Sequence, residues 1–205
     1  LAEANAGRAP SYGVDAHTAE AKERLAALFE TDCDVFFAFN GTAANALVLA
    51  ALCQRHHGIV CHEHSHVDTD ECGAPEFFTG GSKVVPILGP FGKLRPSDLE
   101  PVMQRGHGVH FPKIHALSLT QATELGTVYA PDELRALTDF AHARGMWVHV
   151  DGARFANAAA ALQERGISPA DATWRAGIDV LCFGGTKNGL LTSEAIVFFN
   201  RALAH

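Results

Sequence analysis

Hydrophobic and polar positions along the chain switch repeatedly between a period near 3.6 and short continuous apolar runs, which predicts helices alternating with buried strands. The first helix is predicted over about Ala16 to Glu30, with Ala21, Leu25, Leu28 and Phe29 on one face and Lys22, Glu23 and Arg24 turned largely away. Val35 to Phe39 reads as a buried strand. Asn40-Gly41-Thr42 ends it, and the alanine- and leucine-rich stretch from Ala43 to Cys53 continues as a helix. Further strands are predicted at Gly58 to Cys61, Lys83 to Ile87, His115 to Thr120, Met146 to Val150, Ile178 to Phe183 and Ala195 to Asn200, with helices between them. The best-signalled helix starts with Pro131 at its first position, carries Asp132 and Glu133 in its first turn and stops before Gly145. Such alternation predicts an α/β fold with a mixed, mostly parallel sheet flanked by helices.

In open α/β sheets ligands bind outside the carboxyl ends of the strands. Three polar segments fall there. Asn40-Gly41-Thr42 is a strand-to-helix turn whose free N–H groups suit an anion such as phosphate, or in which Thr42 serves only as a helix cap. Asp151 ends the apolar strand Met146 to Val150, where a carboxylate is costly without a cation. That cation is either Arg154, in a structural ion pair, or a protonated heterocyclic nitrogen such as a cofactor's pyridinium. Lys187 follows Gly184-Gly185-Thr186 after another apolar strand. It is either a surface lysine in a turn or an amine turned back into a dry, glycine-lined crevice, where desolvation would lower its pKa and suit it to a Schiff base. Asp151 and Lys187 are 36 residues apart, about one βαβ unit, so both can reach the same edge of the sheet.

Composition narrows the classes. The 205 residues hold 16 Lys+Arg against 23 Asp+Glu, a net charge of −7, and with 47% hydrophobic residues they can bury a sizeable core. No basic cluster exists to follow a phosphate backbone, which excludes a nucleic-acid binder of that kind. The longest apolar run, Ala43 to Cys53, is interrupted by Asn45 and is far shorter than the roughly 20 residues of a membrane span. Cys33, Cys53, Cys61, Cys72 and Cys182 are odd in number, scattered and without a C-x-x-C pair, which predicts reduced thiols, those at 33, 53 and 182 packed in the core, and a cytoplasmic location.

His62-Glu63-x-x-His66 matches the letters of a zinc-peptidase motif. That motif requires a helix, and here it follows the strand-like Gly58 to Cys61 and runs into Asp68, Asp70 and Gly73. As an extended segment it would place His62, His64 and His66 on one face, the basis for a competing reading as a metal-dependent hydrolase. The preferred role is for His66 alone, stacking or hydrogen-bonding at a cofactor ring, with no metal.

Taken in order, these segments resemble the low-specificity L-threonine aldolases of the β-eliminating lyase superfamily, pyridoxal-phosphate enzymes with the aspartate-aminotransferase fold. The resemblance runs from Ala4-Asn5-Ala6-Gly7 and Tyr12-Gly13 through Phe37 to Asn45, Thr69 to Phe78, Thr120 to Glu124 and His149 to Phe155, to Cys182 to Gly189. It implies that Lys187 holds pyridoxal 5'-phosphate as a Schiff base, that Asp151 pairs with the pyridine nitrogen, that Gly41 and Thr42 hold the phosphate, and that His66 lies against the ring. Arg154 is implied to contact the cofactor or a substrate carboxylate. The implied reaction is retro-aldol cleavage of L-threonine, L-allo-threonine or a related L-β-hydroxy-α-amino acid to glycine and an aldehyde, with His66 or a water it orders as base. Phenylserine cleavage and β-elimination are alternatives on the same fold, and a catalytically dead fold used only for association is a third. Some family members place a second histidine, proposed to act near the substrate hydroxyl, in the region where this chain has Thr123-Glu124. An N-terminal Ser-Asp segment and an arginine-bearing C-terminal small domain are expected in the family outside residues 1–205, which read as the cofactor-binding large domain alone, weak or inactive by itself. A homodimer or homotetramer is implied, with no nucleic acid or membrane partner.

Overall fold

In a computed structural model, which describes residues 5–105 and 108–204, the predicted alternation becomes one seven-stranded sheet between helical layers. Ala4, at the head of the first family-like segment, lies outside the described residues. Helix α1 (Ala16–Phe29) starts where the Asp15 carboxylate accepts the Thr18 N–H at 2.9 Å and stops at Glu30, which takes a left-handed conformation at φ 55°. Only Phe29 of its predicted apolar face is fully buried, and Leu28 is exposed.

Strand β1 (Asp34–Ala38) leads into α2 (Gly41–Leu52), and β2 (His57–His62) leads through the short helices α3 (His66–Thr69) and α4 (Ala74–Phe78) to β3 (Lys83–Ile87). Helix α5 (Pro96–Gln104), β4 (Lys113–Thr120), α6 (Pro131–His142), β5 (Trp147–Gly152), α7 (Phe155–Gln163), β6 (Val180–Gly184) and β7 (Glu194–Phe198) complete the order. The start of α6 carries its predicted signals: Pro131 stands in the first turn and the Glu133 carboxylate accepts the Ala130 N–H at 2.7 Å.

The strand order is β1-β7-β6-β5-β4-β2-β3, with β2 to β6 parallel and β7 antiparallel to both β6 and β1. The first strand corrects an expectation. It lies at the sheet edge, bonded only to β7, and Phe36 and Phe37 are half exposed although the run reads as fully buried. Alternation along the central strands sorts the core into two layers. Leu117, Leu119, Val148, Val150 and Leu181 pack toward Phe29, Leu134, Leu137 and Phe155. Ala116, Val180 and Cys182 pack toward Ala44, Val48 and Leu49 of α2. The period of two therefore turns Asp151, one residue past Val150, to the α2 side of the sheet. The five cysteines are unpaired, with Cys53, Cys61 and Cys182 buried, Cys33 half-buried and Cys72 exposed. Among the described residues no helix is long and apolar enough to cross a membrane.

Candidate active site

Five chain segments converge at the carboxyl ends of β1, β2, β5 and β6, together with the start of antiparallel β7. They enclose a cavity of about 250 Å³ lined by Gly41, Thr42, His66, Asp151 and Lys187, all five predicted from sequence, and by Asn45 and Glu194, which were not.

One wall is the first turn of α2. Its cap is Asn40, not Thr42, because the Asn40 side-chain oxygen accepts the Ala43 N–H at 2.8 Å. The N–H groups of Gly41 and Thr42 find no acceptor among the described residues. A Cβ built on Gly41 meets nothing within 4 Å. These unpaired donors at a helix start are what an anion needs.

The floor is acidic. Asp151 is 4% exposed; its Oδ1 accepts the Ala153 N–H at 3.0 Å and its Oδ2 accepts from Asn45 Nδ2 at 3.0 Å. No lysine, arginine or histidine pairs with it among the described residues. The ion pair with Arg154 is not formed: the guanidinium reaches back to Glu124 at 3.0 Å, on the loop after β4, and Arg154 is absent from the cavity lining. Beneath Asp151 on the same sheet face lies His149, fully buried, with Nδ1 3.0 Å from Ser118 Oγ and Nε2 3.4 Å from Cys182 Sγ. Burial pulls His149 down to about 4 and pushes the Cys182 thiol well up, so both are neutral at pH 7.

Glu71, from the loop after α3, reaches the same floor. Its Oε1 accepts from Asn45 Nδ2 at 2.8 Å and lies 2.9 Å from His66 Nδ1. Burial raises the Glu71 carboxyl, opposed by the hydrogen bonds from Asn45 and His66. Asn45 carried one signal in the sequence, as the polar residue that interrupts an apolar helix. Glu71 carried none among its acidic neighbours. Glu194 accepts the Gly185 N–H at 3.0 Å and so holds the turn that presents Lys187.

Two further expectations change. Lys187 lines the cavity but is exposed, not dry: it stands in a single 3-10 turn beside exposed Leu190 and Leu191, and no described element packs over them. The three histidines do not form a metal clip. Both ring nitrogens of His62 are engaged, Nε2 with Gly89 O at 2.9 Å and Nδ1 with the His64 N–H at 3.1 Å, and His66 begins helix α3 and faces Glu71. The hydrolase reading built on them is withdrawn. Among the described residues, the ligand-type atoms that do approach one another are those of His66, Glu71 and Asp151, within 4.8 Å.

The floor suits a cationic heterocycle joined to an anion. The buried Asp151 carboxylate lacks a cation, Asn45 Oδ1 is buried with no partner, and the α2 start offers two free donors. Pyridoxal phosphate has these complementary groups.

Comparison with known proteins agrees. The beta-eliminating lyase family matches residues 1–205. Over 204 residues the chain is 55% identical to the low specificity L-threonine aldolase of Pseudomonas aeruginosa and 53% identical to that of a Pseudomonas species, in each case covering all of this chain and 58% of the relative. A solved structure of threonine aldolase from Leishmania major superposes with a TM-score of 0.88 at 30% identity, covering 98% of this chain and 58% of that one. The chain thus spans a little over half the length of the relatives it matches.

Proposed function

The chain belongs to the beta-eliminating lyase family, and from that premise we propose that the protein is a pyridoxal-phosphate-dependent aldehyde-lyase that cleaves L-threonine and related L-β-hydroxy-α-amino acids to glycine and an aldehyde. Pyridoxal 5'-phosphate is the cofactor of this family. The observation that carries the reading is the buried, cation-free Asp151 carboxylate across one cavity from both the unpaired N–H groups of Gly41 and Thr42 and the Lys187 amine.

When bound, the cofactor supplies an electron sink for breaking a bond beside an amino-bearing carbon. The chain's own groups prepare for it. Gly41 and Thr42 donate N–H groups to the phosphate, and Asp151 keeps a proton on the heterocyclic nitrogen, so the negative charge of cleavage meets a prepared field. Lys187 would hold the cofactor through its amine, the nucleophile that the cavity offers for a Schiff base. His66 takes the β-hydroxyl proton at Nε2, the ring nitrogen turned away from Glu71. Arg154 contacts the cofactor or the substrate carboxylate once its bond to Glu124 opens.

The active protein is a homodimer or homotetramer. Exposed Phe39, Leu47 and Phe78, which line one apolar hollow beside the cavity, support this, since a contiguous exposed apolar patch suits burial by a second copy. Five unpaired cysteines support a cytoplasmic location.

The test is product analysis with the full chain, pyridoxal phosphate, and L-threonine, L-allo-threonine or phenylserine. Glycine and the matching aldehyde in equal amounts are expected. Ammonia and a 2-oxo acid in their place would replace aldol cleavage with β-elimination.

A further inference from the structure

The hydrogen bonds on the cavity floor form one chain through a residue to which the reading above gives no role. Glu71 is 3% exposed. One nitrogen, Asn45 Nδ2, bridges the two acids, at 2.8 Å from Glu71 Oε1 and 3.0 Å from Asp151 Oδ2. A single amide nitrogen has two hydrogens, so both are spent and the Asn45 side chain has one orientation only. Glu71 Oε1 then receives a second partner, His66 Nδ1, at 2.9 Å.

The protonation of His66 follows from this arrangement. An ionised carboxylate only accepts, so the imidazole nitrogen facing it must carry the hydrogen. The neutral ring is then the Nδ1–H tautomer with its lone pair on Nε2. That nitrogen has no hydrogen-bond partner among the described residues, and His66 lines the cavity. The opposite arrangement would need a proton on Glu71, donated to Nδ1, and would leave Nε2 protonated and unable to act as base. The proton shared across the 2.9 Å between Glu71 Oε1 and Nδ1 belongs on nitrogen, because imidazole is ordinarily the stronger base of the two, by about two pK units.

We propose that Glu71 is a positioning residue: its carboxylate holds His66 in the Nδ1–H form, leaving Nε2 to accept the substrate hydroxyl proton, and then stabilises the imidazolium so formed. In that step the substrate O–H bond breaks, an Nε2–H bond forms, and Nδ1 keeps its own hydrogen on Glu71. The logic is that of a base oriented by a third group, in which losing the orienting acid leaves the wrong tautomer. The proposal rests on His66 being the base, so the experiment must separate the two.

The experiment is 15N NMR of histidine-labelled full chain, free of cofactor, with the His66 signals identified by their loss in His66→Asn. Wild type should show Nδ1 protonated and Nε2 bare. In Glu71→Leu the proton should move to Nε2, and the reconstituted enzyme should lose about 10²-fold in kcat with KM within twofold. Glu71→Gln keeps an accepting oxygen of the same reach, so it should keep the tautomer but shift the acid limb of the kcat profile to lower pH, because the anion is gone. It also carries the test if the leucine variant does not fold. Nε2 protonated in wild type, an unmoved tautomer in Glu71→Leu, or an unmoved acid limb in Glu71→Gln would overturn the role of Glu71. Full kcat in His66→Asn would instead overturn His66 as base.

Discussion

Asn45 and Asp151, 106 residues apart in the chain, meet at 3.0 Å with the amide Nδ2 donating to the carboxylate Oδ2. The contact joins α2, whose first turn faces one end of the cavity, to β5, whose last residues form its floor. Asn45 has the length and the two donors to sit between Asp151 and Glu71 without adding charge.

Replacing the donor by an acid should therefore be severe. Asn45→Asp places three carboxylates in one buried cluster, and we expect stability at pH 8 to fall by about 3 kcal/mol. One of those acids would hold a raised pKa in the folded state, so the folded state binds the extra proton and part of the loss should return as pH drops toward 5.5. Urea unfolding at the two pH values checks both the size and the direction.

Gly41 separates binding from folding. Because a Cβ there meets no protein atom within 4 Å, Gly41→Val should fold with stability within about 1 kcal/mol of wild type. A branched side chain beside the free N–H groups of residues 41 and 42 should nevertheless weaken cofactor binding at least about tenfold, through lost access to the helix start. Equilibrium titration followed by visible absorbance reads the affinity, and urea unfolding reads the stability.

The buried His149 predicts an acid-side instability. Its folded pKa is pulled to about 4 by burial, below the ordinary 6.5, so between those values the unfolded chain binds more protons and stability falls as pH falls. The slope from this one group approaches at most about 1.4 kcal/mol per pH unit within the window. Chemical unfolding from pH 7.5 to 4.5 should show a shallower slope in His149→Asn than in wild type.

Much of this architecture was legible in the residue pattern. Lys83 to Ile87 reads as a strand and is one, and Asp151 and Lys187 stand at strand ends as their apolar neighbours require. Errors arose where tertiary position decides the outcome. Val35 to Phe39 reads as buried because hydropathy cannot distinguish a central strand from an edge one, and here β7 covers one side only. Arg154 sits three residues from Asp151, yet the strand end turns it toward Glu124. Asn45 could be found as a polar break in an apolar helix face. Glu71 could not, since burial of one acid among Asp68, Asp70 and Glu76 is settled by how the loop between α3 and α4 brings it to Asn45 of α2.

The central claim is that this cavity holds pyridoxal phosphate through Lys187, and its most direct test is borohydride reduction of the full chain with the cofactor, followed by peptide mapping. We expect a visible absorbance band that disappears on reduction, a stable adduct on Lys187, and neither in Lys187→Ala, with Lys22, Lys83, Lys93 and Lys113 as internal controls. A band with its label on another lysine, or an unlabelled Lys187 in protein that has bound the cofactor, would contradict the account.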